Sequence, residues 1–337
     1  MKKRFTPIYF LSILILFFSS PALSLAATDL EKAKSHFEEG VDLSKQRRFD
    51  DAIIEFTQAV RLNLENHKYH QALVLGYIQT RRGPQAIAFY KELAKENPQS
   101  AQVHYWLGRL YLESQSLNDA LKEFLESARL SPKDDHPWVS LGHVYYRLGK
   151  QNEALDAYLQ ANKLSPKIAI VHAGLGNIYY ARKEYPKAQK EYEEALKLDA
   201  TLTDAKFNLS LIYEKTQEVS KAIKIWKSLL EEDPNESRAR EKLARAYFLG
   251  EQYQNAVEEY LMLSRVKQSS PEVFFALGES EVMLASVIND SADQQQLKEM
   301  AIEAFQRTIE LDPNNTQARK YLDRLQSKKP ASQKRSN

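Results

Sequence analysis

The chain contains no cysteine, which excludes disulfide staples, thiolate nucleophiles, cysteine-bound zinc and lipid attachment through a thiol. Glycine and proline are scarce, at 10 and 12 of 337 residues, against average usage of about 7% and 5%. That is too little turn material for a many-stranded sandwich or barrel. Net charge is equally small, with 47 Lys plus Arg facing 45 Asp plus Glu. A largely apolar run near the start, Ile8 to Phe18, follows Lys2, Lys3 and Arg4 and precedes the small-residue stretch Ser24-Leu25-Ala26-Ala27. These three parts make residues 1–26 an expected secretory signal peptide. Left uncleaved, residues 7–27 are long enough to associate with a membrane as an anchor. In both cases the body is expected outside the cytoplasm, in a periplasm or secreted. Cleavage leaves 44 basic against 45 acidic residues, and without a clustered basic face no nucleic-acid partner is expected.

What the chain does have is a period. Ala52, Ala86, Ala120, Ala154, Ala188, Ala222 and Ala256 recur every 34 residues, and Ala301 continues the series after an insertion. Four residues after each alanine stands an aromatic: Phe56, Tyr90, Phe124, Tyr158, Tyr192, Trp226, Tyr260 and Phe305. Leu73, Leu107, Leu141, Leu175, Leu209, Leu243 and Leu277 share another phase, and all but the last are followed four residues on by a tyrosine. Spacings of four place each pair on one face of a helix. Pro98, Pro132, Pro166, Pro234 and Pro313 share a phase where a helix should end, and no proline falls in a predicted helix interior, where it would cost about 3 kcal/mol. Gly40, Gly108, Gly142, Gly176 and Gly278 also share a phase, which predicts a close approach of two paired helices.

At these residues the sequence resembles the tetratricopeptide repeat family. Trp138, Leu141, Gly142, Tyr145, Ala154, Tyr158, Ala161 and Pro166 all match its pattern within one 34-residue unit. The resemblance implies an all-α, right-handed superhelical solenoid of eight helix-turn-helix units, at residues 33–66, 67–100, 101–134, 135–168, 169–202, 203–236, 237–270 and 271–315. The last carries about 11 extra residues relative to the family period. Residues 316–327, with Ala318, Tyr321, Leu322 and Leu325 on one face, are expected to cap the array, and 328–337 to form a disordered basic tail. The first unit departs from the pattern, with Glu39 where leucine is expected, and the fifth and seventh have Ala200 and Gln268 in place of the closing proline.

Signal, repeats, cap and tail leave no stretch that could fold as a catalytic domain, so no enzyme activity, metal or cofactor is expected. His36, His70, His104 and His172 share the slot that Trp138 fills, which assigns them to packing. His67, His136 and His143 are scattered, and no histidine-glutamate helix motif or phosphate-binding glycine loop is present.

Function therefore comes from the resemblance, which implies that the first helices of successive units line a concave groove for a protein or peptide partner. Projecting the family's contact positions onto units three to five gives Tyr105, Arg109, His136, His143, Tyr146, Arg147, Asn177 and Tyr180, a mixture suited to an extended acidic or aromatic peptide. Packing between neighbouring helices is the other role open to Tyr146 and Tyr180. Asn177, Asn208, Arg238 and Lys242 fall at phases that resemble the family's carboxylate clamp, although Ala173 stands where that clamp has a lysine. The resulting expectation is a scaffold or adaptor in envelope assembly or secretion. The other reading is a module associated with an envelope polysaccharide.

Overall fold

The structure, a computed structural model, describes residues 21–327 and the side chains of 28–327. The tail from 328 and most of the expected signal segment lie outside these residues. Seventeen helices and no strand are found among the described residues, and no described helix is long and apolar enough to cross a membrane. The chain divides into two compact units, residues 1–165 and 166–337.

In the N-terminal unit the helices run α1 (Pro21–Lys45), α2 (Phe49–Leu62), α3 (His67–Gln79), α4 (Gly83–Glu96), α5 (Ala101–Glu113), α6 (Leu117–Leu130), α7 (Asp135–Arg147) and α8 (Gln151–Leu164). In the C-terminal unit they are α9 (Ala169–Ala181), α10 (Tyr185–Leu198), α11 (Thr203–Lys215), α12 (Val219–Glu232), α13 (Ser237–Leu249), α14 (Tyr253–Val266), α15 (Pro271–Val287), α16 (Ser291–Leu311) and α17 (Thr316–Ser327). Up to α16 they form antiparallel pairs, each with a first and a second helix. Starts are set locally: the side chains of Asn66, Ser100 and Asp134 accept backbone N–H groups at the beginnings of α3, α5 and α7.

The turn inside each of the first seven pairs is closed by one residue in the left-handed region, at Arg47, Arg81, Gln115, Gly149, Lys183, Gln217 and Glu251. In the second pair, Arg81 N–H bonds to the Ile78 carbonyl and Arg82 N–H to that of Tyr77, the Schellman pattern of helix termination.

Packing within a pair rests on the phases read above. The Ala86, Ala120, Ala154, Ala188, Ala222, Ala256 and Ala301 methyls are fully buried. In five pairs the aromatic four residues later lies against a glycine of the first helix, at Gly40, Gly108, Gly142, Gly176 and Gly278, where a side chain would meet the ring; Val74, Ser210 and Ala244 hold the same phase in the others. A Cβ on Gly142 would stand 2.6 Å from the Tyr158 ring, and one on Gly176 2.7 Å from Tyr192. In the last pair the extra residues form no loop. There α15 has 17 residues and α16 has 21, against 13 and 14 in α13 and α14, so the surplus extends both helices. Helix α17 then covers the end of this pair, stacking Tyr321 on Phe305 at 4.7 Å.

The fourth residue of the first helix is a brace in five pairs, at His70, His104, Trp138, His172 and Arg240. His104 places Nδ1 2.6 Å from Glu123 Oε2 and Nε2 3.3 Å from the Pro98 carbonyl. His172 repeats this with Glu191 at 2.7 Å and Pro166 at 3.0 Å. Arg240 binds Glu259 and the Pro234 carbonyl, and Trp138 Nε1 donates to the Pro132 carbonyl. His70 is the neutral version: Nε2 donates to the Leu64 carbonyl, the Tyr90 hydroxyl donates to Nδ1, and burial pushes the ring down to about 4. Each brace ties a second helix or the preceding turn to the first helix, which accounts for these histidines as structural groups.

Candidate functional site

In the N-terminal unit α3 lies beside α5 and α5 beside α7, so the first helices of the second, third and fourth pairs share a face. Of the residues projected onto that face, Tyr105 and His136 gather around Arg109. Its guanidinium lies over Tyr105 and Trp106, 6.0 and 5.5 Å from the ring centroids, and donates to the Tyr105 hydroxyl at 3.2 Å. His67 joins from the start of α3, its ring 4.8 Å from Trp106, 5.8 Å from Tyr105 and 5.0 Å from His136. The sequence reading chose Tyr105, Arg109 and His136 but passed over His67, Gln102 and Trp106. His67 is the first residue of its helix, outside the phases projected, and only its proximity to the next two pairs makes it part of the cluster.

Charge is divided unevenly here. His136 Nδ1 sits 2.7 Å from Asp134 and 3.1 Å from Asp135; the hydrogen bond to Asp134 and the two negative charges hold the ring above its ordinary value. His67 is held below its own chiefly by burial and by His136, with a smaller effect of Arg109, against the opposing effects of Gln102 and Asp134. Asp134, Asp135 and His136 are also a group whose ligand atoms lie within 4.8 Å of one another. Those atoms already satisfy each other, and Asp134 is spent on capping α7.

Farther along α7, Tyr146 is 41% exposed and stands off the core, whereas Arg147 binds the Gln115 side chain and His143 is exposed. Toward the chain start, α1, α2 and α3 enclose an open apolar cleft of about 510 Å³ lined by Val41, Phe56, Ala72, Leu75 and Gly76, with Lys45 and Arg47 at its edge. Leu75 is 51% exposed. This cleft escaped the sequence reading because the projection began at the third pair.

In the C-terminal unit the clamp-like residues already have internal partners. Asn177 Oδ1 accepts from the Tyr192 hydroxyl at 2.5 Å and from Asn208 at 2.9 Å. Arg238 binds Asp204 and Glu236, each at 3.0 Å, and Lys242 binds Glu214 at 2.8 Å. An external carboxylate there must displace internal ones. Tyr180 packs beside Tyr185, ring centroids 5.8 Å apart.

Two family models match the sequence, one described as TPR repeat, over residues 142–181 and 176–217, and one as tetratricopeptide repeat, over 71–135 and 207–270. No curated protein matches the chain. Among solved structures, the APC/C hetero-tetramer Cut9-Hcn1 is similar with TM-score 0.54 and 16% identity, over 82% of this chain and 52% of that one. Pseudomonas aeruginosa pilF is similar with TM-score 0.52 and 17% identity, over 68% and 97%. PilW, a type IV pilus biogenesis factor, gives 0.52 and 17%, over 66% and 98%. At such identities the likeness concerns the fold. Helix pairs in tandem, the shared alanine, aromatic and glycine phases, and both family models agree: the chain belongs to the tetratricopeptide repeat family.

Proposed function

We propose that this protein is a non-catalytic scaffold that holds an extended segment of a partner protein on the first-helix face of its N-terminal unit, and that it works outside the cytoplasm in envelope assembly or secretion. The scaffold fold is consistent with protein–protein interaction. The observation that carries the binding face is the neighbourhood of an open apolar cleft beside Leu75 and an aromatic-cationic cluster around Arg109. Elsewhere on the first helices, polar groups such as Arg238 and Lys242 are consumed by internal partners. Apolar surface left open beside aromatic and arginine side chains suits a protein interface. Export rests on the signal-like order of charges, apolar run and small residues in 1–26.

The test is in-cell crosslinking of the full-length chain against a Leu75→Glu, Tyr146→Ala variant, both sites being exposed. Loss of a defined crosslinked protein from the variant, with unchanged melting, supports the face. An identical crosslink pattern refutes it. Protease accessibility in spheroplasts tests export: a chain degraded only after lysis of the inner membrane would not be exported.

A further inference from the structure

Arg109 is a half-buried cation without an ion pair among the described residues: its polar contact there is the Tyr105 hydroxyl, and it lies over the Tyr105 and Trp106 rings. The contrast with Arg238 and Lys242, both ion-paired, is within the same repeat architecture. A guanidinium partly removed from water without a carboxylate bears a desolvation cost that an incoming anion can offset. Beside it, the Trp106 indole N–H is buried without a hydrogen-bond acceptor among the described residues, in a residue only 3% exposed.

We propose that Arg109, together with His67 and Trp106, forms a carboxylate site that takes an acidic side chain from the middle of an extended partner segment. This rests on the binding face proposed above and names its ligand chemistry. An acidic residue inside a segment is favoured over a free C-terminus because α5 has first helices on both sides, α3 toward the apolar cleft and α7 toward exposed Tyr146, so a bound chain finds surface in both directions. The groups facing His67 are His70 on its own helix, Gln102, Tyr105, Trp106 and Arg109 on α5, and Asp134 with His136 at the start of α7. The Asp134 and Asp135 carboxylates are turned onto His136, and although Asp134 still acts on His67 from the start of α7, Arg109 has no ion pair among the described residues. Burial, His136 and Arg109 disfavour the protonated form of His67. A ligand carboxylate reverses that balance, so binding takes up a proton at His67 and tightens as pH falls.

The experiment is fluorescence anisotropy with the full chain and capped, labelled decapeptides of one leucine-containing sequence bearing two central Glu, Gln or Lys residues. A fourth probe is the Gln peptide with a free C-terminal carboxylate. The Glu peptide should bind best, weaken at least tenfold with Arg109→Gln and change less than twofold with Arg238→Gln. Its affinity for the wild-type chain should rise at least threefold between pH 7.5 and 5.5, and His67→Gln should flatten that rise. The wild-type pH series stands even if an Arg109 variant folds poorly. Equal binding of Glu and Gln peptides overturns the carboxylate site and leaves the binding face intact. Preference for the free C-terminus overturns the mid-segment assignment, and binding of none of the four overturns both site and face.

Discussion

Glu281 should make the last helix pair lose stability as pH rises. It stands on α15 where earlier pairs have a tyrosine, is 1% exposed, and its Oε2 has no hydrogen-bond partner among the described residues. Burial, with a smaller contribution from Glu303, pushes its carboxyl up to about 8 from an ordinary 4.5. The folded value lies above the unfolded one, so the protonated folded form is fully favoured below pH 4.5, and that advantage declines until the folded group ionises near 8. At 1.36 kcal/mol per pH unit, the loss between pH 4.5 and 7 is about 3 kcal/mol. Glu281→Gln removes the titration and leaves only a pH-independent packing difference. Because tandem repeats unravel in parts, the assay is amide hydrogen exchange of α15–α17 at pH 5, 6, 7 and 8, corrected for intrinsic exchange. Protection of the wild type relative to the variant should fall by about 1 kcal/mol per pH unit across that range. Parallel profiles, or a Glu281 carboxyl ¹³C shift titrating near 4.5 in the folded chain, would refute the argument.

Three further outcomes follow from the fold. The hydrogen bond to Glu123 holds His104 above its ordinary value, so its brace is fully present below pH 6.5 and is lost as pH rises through the folded value; His104→Ala should cost about 1.5–3 kcal/mol at pH 6 and clearly less at pH 8.5 by urea denaturation. Gly142→Ala places a methyl 2.6 Å from the Tyr158 ring and should destabilise by about 1–3 kcal/mol, visible as a lower thermal midpoint; an unchanged midpoint would mean the helix pair can open at no cost. At the turn closures, Lys183→Gly should stabilise and Gly149→Ala destabilise, each by about 1 kcal/mol, and equal effects of one sign would contradict the left-handed assignment.

Legibility follows how local each cause is. Alanine, aromatic, leucine and proline phases report on contacts inside one helix pair, and the same contacts recur along the chain, so all-α repeat packing was readable from residue types alone. The fourth-position histidines were correctly placed in packing, but their pairing with Glu55, Glu123 and Glu191 joins residues 19 apart, a spacing no single helix face displays. The candidate surface was legible only in part. Tyr105, Arg109 and His136 lie at phases the family uses, whereas His67 and the cleft beside Leu75 depend on which first helices become neighbours and how far apart they stand.

By itself, then, the sequence determined the helix pairs, because burial at a fixed phase is a local, repeated demand that residue size and polarity satisfy directly. Which charges remain available was decided only by tertiary structure. Arg109, Arg238 and Lys242 are all basic in the sequence, yet Arg238 and Lys242 find carboxylates on neighbouring helices while Arg109 finds aromatic faces. An ion pair is made or missed over a few ångströms between side chains distant in sequence, and that distance exists only once the helices are packed.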